Sequence, residues 1–127
     1  MAIPDYQTIM LPLLKFMADQ KEHSVHEAVK FLANEFNLSD EDRKEMLPSG
    51  QQEVFLNRVG WARTYMKKAG LLDSPKRGIF IITERGKKVL ASNPTKIDNK
   101  LLTHYDEFKE FKKKKRKVEE ETGVIEF

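Results

Sequence analysis

The chain has 127 residues and a mass of 14.8 kDa, room for one domain with a short appendage but not for two full cores. Hydrophobic residues make up 39% and charged residues 34%, the balance of a soluble protein with a modest core and a heavily charged surface. The absence of cysteine excludes a disulfide framework, a thiolate zinc site and a cysteine nucleophile, and fits a reducing, cytoplasmic setting. The apolar runs are too short to cross a bilayer, and the N-terminus lacks the apolar stretch of a secretory signal.

Charge is unevenly distributed. Residues 1–49 carry 5 Lys/Arg against 9 Asp/Glu, residues 50–88 carry 9 against 3, and residues 89–127 carry 9 against 8. An acidic half thus adjoins a basic one, an asymmetry that points to a polyanion partner on one face.

Pro4 fits the first position of a helix with Asp5 in its first turn, and Ile9, Met10, Leu13, Leu14 and Met17 recur at helical spacing. Pro12 is expected to kink this helix or to divide it. Residues 19–23 read as a turn with a trace of edge strand. Ser24 and Glu27 form a capping-box pair that opens a second helix through Val25, Ala28, Val29, Leu32 and Phe36, with Asn37 suited to a left-handed cap. Ser39 opens a short acidic helix over 40–47, and Pro48-Ser49-Gly50 is a turn.

Residues 52–69 form the most informative segment. Phe55, Val59, Ala62, Met66 and Ala69 fall on one buried stripe, and Gly70 ends the helix just beyond Lys67 and Lys68. Leu71-Leu72, a turn over 73–78 and Ile79–Ile82 then make a β-hairpin with a basic tip, to which the strand trace near 23 can add a third strand. Thr83 caps a last short helix, 84–91, stopped by Asn93-Pro94. The fold class is therefore mainly α with a small β-hairpin wing, in the order of a winged helix-turn-helix, followed by a C-terminal amphipathic helix. The domain occupies 1–92. Residues 93–127 are a linker and an amphipathic helix over about 98–118, with a basic end and a poorly ordered terminus.

On a helical wheel, Asn57, Gly60, Trp61, Thr64 and Lys68 occupy the outer face of the 52–69 helix, with Arg63 and Lys67 on one flank and Arg58 and Tyr65 on the other. No acid lies between Val54 and Leu72. Gly60 costs about 1 kcal/mol relative to Ala in mid-helix, a cost explained if an outside backbone must approach closely. Asn57, Arg63 and Thr64 could then reach base edges, while Lys67, Lys68 and, from the wing, Lys76 and Arg77 would meet phosphates, with Arg58 and Gly60 counted in the same DNA-binding face. Trp61 points outward on the wheel, but a ring of that size more often packs against a neighbouring element.

Catalytic parts are missing from the pattern. His23, His26 and His104 lack metal spacing, the serines lack a His/Asp arrangement, and there is no Gly-rich phosphate loop, so no cofactor, metal or catalytic residue is expected. The run Lys112–Lys117 has the composition of a nucleic-acid or import patch, although such runs are often a solvated helix end. Leu101, Leu102, Tyr105, Phe108 and Phe111 form a stripe that must be buried on the same domain, on a second copy or on a following domain.

The stretches Ile3-Pro4-Asp5-Tyr6, Pro48-Ser49-Gly50-Gln51, Asn57 through Leu72 (NRVGWARTYMKKAGLL), Ser74–Gly78 and Ile82–Gly86 resemble the N-terminal domain of Mrr-type restriction endonucleases. The segments at 97–100 and 107–111 are similar to that family's linker. The resemblance implies a winged-helix DNA-binding domain of a restriction system that recognises modified DNA. In that family cleavage belongs to a separate C-terminal nuclease domain, before which this sequence stops, so no cutting activity is carried over. The leading expectation is a module for double-stranded DNA. The alternative is an interaction domain that docks or pairs through the 101–111 stripe.

Overall fold

A computed structural model describes residues 3–114. Its elements are α1 (Tyr6–Phe16), a 3-10 turn at Met17–Asp19, β1 (His23–Ser24), α2 (Val25–Glu35), α3 (Asp40–Lys44), α4 (Val54–Lys68), β2 (Leu72–Lys76), β3 (Ile79–Ile82), α5 (Glu84–Ala91), α6 (Asn99–Leu102) and α7 (Asp106–Lys114). The protein is a helical domain with a three-stranded antiparallel sheet in the order β1-β3-β2, so the strand trace does join the wing.

Local signals explain most boundaries. The Asp5 carboxylate accepts the Thr8 N–H at 2.7 Å and caps α1, which places Pro4 ahead of the cap rather than at the first helical position. α1 then runs through Pro12 as one helix instead of dividing. Ile9, Met10, Leu13 and Leu14 are fully buried around that position, so tertiary packing outweighs the amide hydrogen bond that proline removes. The expected Ser24–Glu27 capping box forms, and the structure adds a second one between Ser39 and Asp42. Asn37 adopts φ 53°, as its left-handed cap requires.

Two elements are shorter than expected. α3 stops at Lys44 instead of 47, because Met46 bridges Glu53 and Leu47 closes a small loop, its N–H donating to the Gln52 carbonyl at 2.9 Å and its carbonyl accepting the Gly50 N–H at 2.8 Å. The wing turn contracts from 73–78 to Arg77-Gly78, since β2 continues to Lys76 through an irregularity between Asp73 and Lys76. Gly78, at φ 77°, supplies the left-handed residue with which this tight turn closes.

The C-terminal segment is two helices rather than one over 98–118. The chain turns at 103–105, where the His104 and Tyr105 N–H groups donate to Leu101 and Leu102 carbonyls, and α7 starts afresh at Asp106. The stripe closes on its own chain: Leu102 and Phe108 are fully buried, and Leu101, Tyr105 and Phe111 pack against the same core as α1 and α4. Asn99 ties this segment to α1, its backbone N–H donating to the Gln7 side-chain oxygen and its side-chain amide to the Tyr6 hydroxyl. Lys115–Lys117, Glu119–Glu121, the helix end near 118 and the order of the terminus lie outside the described residues.

Gly86 sits where α5 crosses the end of the wing. A Cβ there would overlap the Leu71 carbonyl oxygen and stand 2.7 Å from Ile82 Cγ1. Because backbone rather than a flexible side-chain tip blocks the space, Gly86→Ala is expected to destabilise by about 1–3 kcal/mol, the usual range for overpacking. A urea midpoint unchanged from that of the parent would refute this.

His23 lies between two carboxylates, with Nε2 2.8 Å from Asp19 Oδ2 and Nδ1 3.2 Å from Glu27 Oε2, and it packs on the Phe16 ring. The Lys21 N–H and then His23 hold Asp19 below the usual carboxylate range, and the Ser24 N–H and then His23 do the same for Glu27. A carboxyl whose folded pKa is depressed contributes stability above its unfolded pKa and loses it as pH falls through the folded value. Stability should therefore drop below about pH 4.5, and an Asp19→Asn, Glu27→Gln variant should lose less between about pH 5 and pH 3. An identical urea-midpoint profile for both proteins would count against it.

Candidate nucleic-acid interface

α4 is the central helix, meeting α1, α2, α3 and α7. The expected apolar stripe is all buried: Phe55, Val59, Ala62, Met66 and Ala69. Much of the expected outer face is buried as well. Asn57 is 1% exposed, with its amide donating to Gln52 Oε1 at 2.9 Å, and Gly60 is buried as well. Arg63 is 6% exposed, and burial lowers the pKa of its guanidinium. Neither Asn57 nor Gly60 can meet an outside groove, and the explanation of Gly60 by an external backbone fails. The wheel gives directions relative to the helix's own apolar stripe, whereas the elements packed around α4, β2 among them, decide which directions remain open.

Trp61 is packed, 7% exposed, edge-on to Tyr65 with centroids 6.0 Å apart. Arg58 is half-buried, and its Nη1 donates to the Ile3 and Pro4 carbonyls at 2.8 and 3.3 Å, a tie between α4 and the N-terminus rather than an outward cation.

What stays open is the C-terminal turn of α4. Lys67 and Lys68 are exposed and Thr64 is half-exposed. The helix ends in a Schellman arrangement, the Leu71 N–H donating to Met66 O and the Gly70 N–H to Lys67 O, with Gly70 at φ 83°. That sharp exit folds the wing straight back beside the turn. The Ser74 hydroxyl is within 3.0 Å of Lys76 O and 2.9 Å of Ile79 O, which fixes the tip. Arg63, Thr64, Lys67, Lys68, Ser74, Arg77 and Gly78 together line an open recess of about 420 Å³ with no acid in its lining. Lys76 is exposed on the neighbouring strand but is not part of that lining.

Sequence reasoning missed two contributors. Ser74 gave no signal beyond lying in a turn. Arg85 was unmarked, yet its Nη1 donates to Ala69 O at 2.8 Å and to Glu107 Oε2 at 2.9 Å, while its guanidinium lies 4.5 Å from the Tyr105 ring centroid. It clasps the end of α4 to α5 and α7. Among the described residues no group of His, Asp and Glu could hold a metal ion, and no helix is long and apolar enough to cross a membrane.

A helical domain whose central helix delivers a basic wing is the class defined by this geometry, and the family model for the Mrr N-terminal domain matches residues 6–92. The chain belongs to that family. It is 34% identical over 108 residues to the type IV methyl-directed restriction enzyme EcoKMrr of Escherichia coli strain K12. The aligned part covers 82% of this chain and 34% of that enzyme, so the chain spans about a third of its relative's length. No solved structure matches the chain.

Proposed function

We propose that the chain is a winged-helix reader of double-stranded DNA in a cytoplasmic restriction system directed at methylated DNA. The observation that carries this reading is the acid-free recess between the last turn of α4 and the wing, where Lys67, Lys68 and Arg77 converge beside the Thr64 and Ser74 hydroxyls. Lysine and arginine neutralise phosphates, and the hydroxyls and the Gly78 backbone suit close approach to the same strand. Lys76 adds a phosphate contact from the wing. Arg63 supports the floor, and Asn57, Gly60 and Arg58 serve the fold. The methyl direction is taken from the name of the E. coli relative. Cleavage is not assigned to these residues.

The interaction-domain alternative loses its motive, because the 101–111 stripe that prompted it is taken up within the chain. Fluorescence anisotropy with methylated and unmodified duplexes of one sequence, at two salt concentrations, tests the reading. Binding whose affinity falls steeply with salt is expected, tighter for the methylated duplex. Absence of binding at low salt would overturn the DNA reading, and equal affinities would remove the methyl direction alone.

A further inference from the structure

Lys112, where the basic run begins, is not among the described residues that line the recess, yet the fold brings it against the same turn of α4. Phe108 is fully buried and Phe111 is partly so, with their ring centroids 5.6 and 5.3 Å from that of Tyr65. Glu107 is bound to Arg85, which also holds the end of α4. α7 is thus pinned by packing and by a charge-assisted hydrogen bond.

Two ammonium groups meet on this aromatic seam. Lys68 Nζ lies 5.5 Å from the Phe111 centroid, and Lys112 Nζ lies 5.3 Å from that of Tyr65. Lys68 belongs to the recess, so the seam joins the recess to α7. On the helical wheel, Lys109 and Lys112 lie on one flank of α7 and Glu107 and Glu110 on the other, with Lys113 beside Asp106 on the outward pole between them. Of those acids, Glu107 is engaged by Arg85, and Glu110 lies 3.5 Å from Lys113 Nζ in an exposed pair that a phosphate can readily replace. A duplex carries one charge per about 1.7 Å of axis, so a strand seated at the recess presents further phosphates on either side of it.

We infer that α7 is a second phosphate-binding wall. Lys112 and Lys113 hold phosphates that flank those met by Lys67 and Arg77, and residues beyond the 6–92 family match thereby enlarge the nucleic-acid surface. The inference rests on the DNA reading above. An apolar partner is disfavoured because the aromatic face of α7 is already packed against Tyr65.

The test is a salt titration of a short fluorescein-labelled duplex with the whole chain, using Lys112→Gln/Lys113→Gln, Lys112→Arg/Lys113→Arg and Lys67→Ala/Arg77→Ala variants. The glutamine pair is expected to bind several-fold more weakly, with the slope of log K against log salt reduced by about 1–2, and the arginine pair to restore both. If the glutamine pair binds as the parent does while Lys67→Ala/Arg77→Ala weakens binding, the α7 wall is refuted and the DNA reading stands. If the parent itself fails to bind, both fall. A glutamine pair that melts lower yet keeps the parental slope would make α7 a packing element only, which also overturns the inference.

Discussion

Lys67→Ala combined with Arg77→Ala should weaken duplex binding about equally across DNA sequences and cut the salt slope by about 2. Each cation that neutralises a phosphate releases about 0.9 counterion, so at about 0.1 M salt the pair supplies on the order of 10–100-fold in affinity. Both side chains are exposed, so removing them should shift stability by no more than about 0.5 kcal/mol. The thermal midpoint of the variant should match the parent's, which separates lost contacts from lost fold. Arg63→Ala is a poor probe of the same question. Arg63 is almost wholly buried, and its removal would leave a gap beneath the recess whatever it does to binding. An unchanged slope for Lys67→Ala/Arg77→Ala would mean that the recess meets no phosphate.

Phe108→Ala is expected to cost about 3–5 kcal/mol, the range for deleting a fully buried phenylalanine. Single domains are stable by only about 5–15 kcal/mol, so this variant should be visibly unstable in urea at room temperature. The loss arises from two sources. The ring itself leaves the core, and Tyr65 loses one of its edge-on partners, with Phe111 and Tyr6 remaining at 5.3 and 5.1 Å. A loss below about 1 kcal/mol would show that α7 is only lightly attached, despite its complete burial at this position. Phe108 lies beyond the family match at 6–92, so the experiment also asks how far the folding unit extends.

The helix starts at Ser24, Ser39 and Thr83, the stop at Gly70 and the presence of the wing were legible because their causes are local. The Ser24 hydroxyl and the Glu27 carboxylate lie three residues apart, and their hydrogen bonds need nothing from the rest of the chain. Gly70 and Gly78 adopt positive dihedrals where glycine costs least, and the 3- and 4-residue recurrence from Phe55 to Ala69 marks one buried face without ambiguity.

The amino-acid sequence by itself determined the helical class, the hairpin, the acid-free stretch from Val54 to Leu72 and the stripe from Leu101 to Phe111. Tertiary structure alone decided which cations face outward. Packing from four helices leaves only Lys67 and Lys68 fully exposed on α4, and it buries Asn57, Gly60 and Arg63 against an amphipathic reading. It also settled where the stripe goes, because a turn at 103–105 lets Phe108 and Phe111 reach Tyr65. The reason is range: capping and periodicity act within one or two turns of chain, whereas exposure depends on every element that happens to arrive from elsewhere.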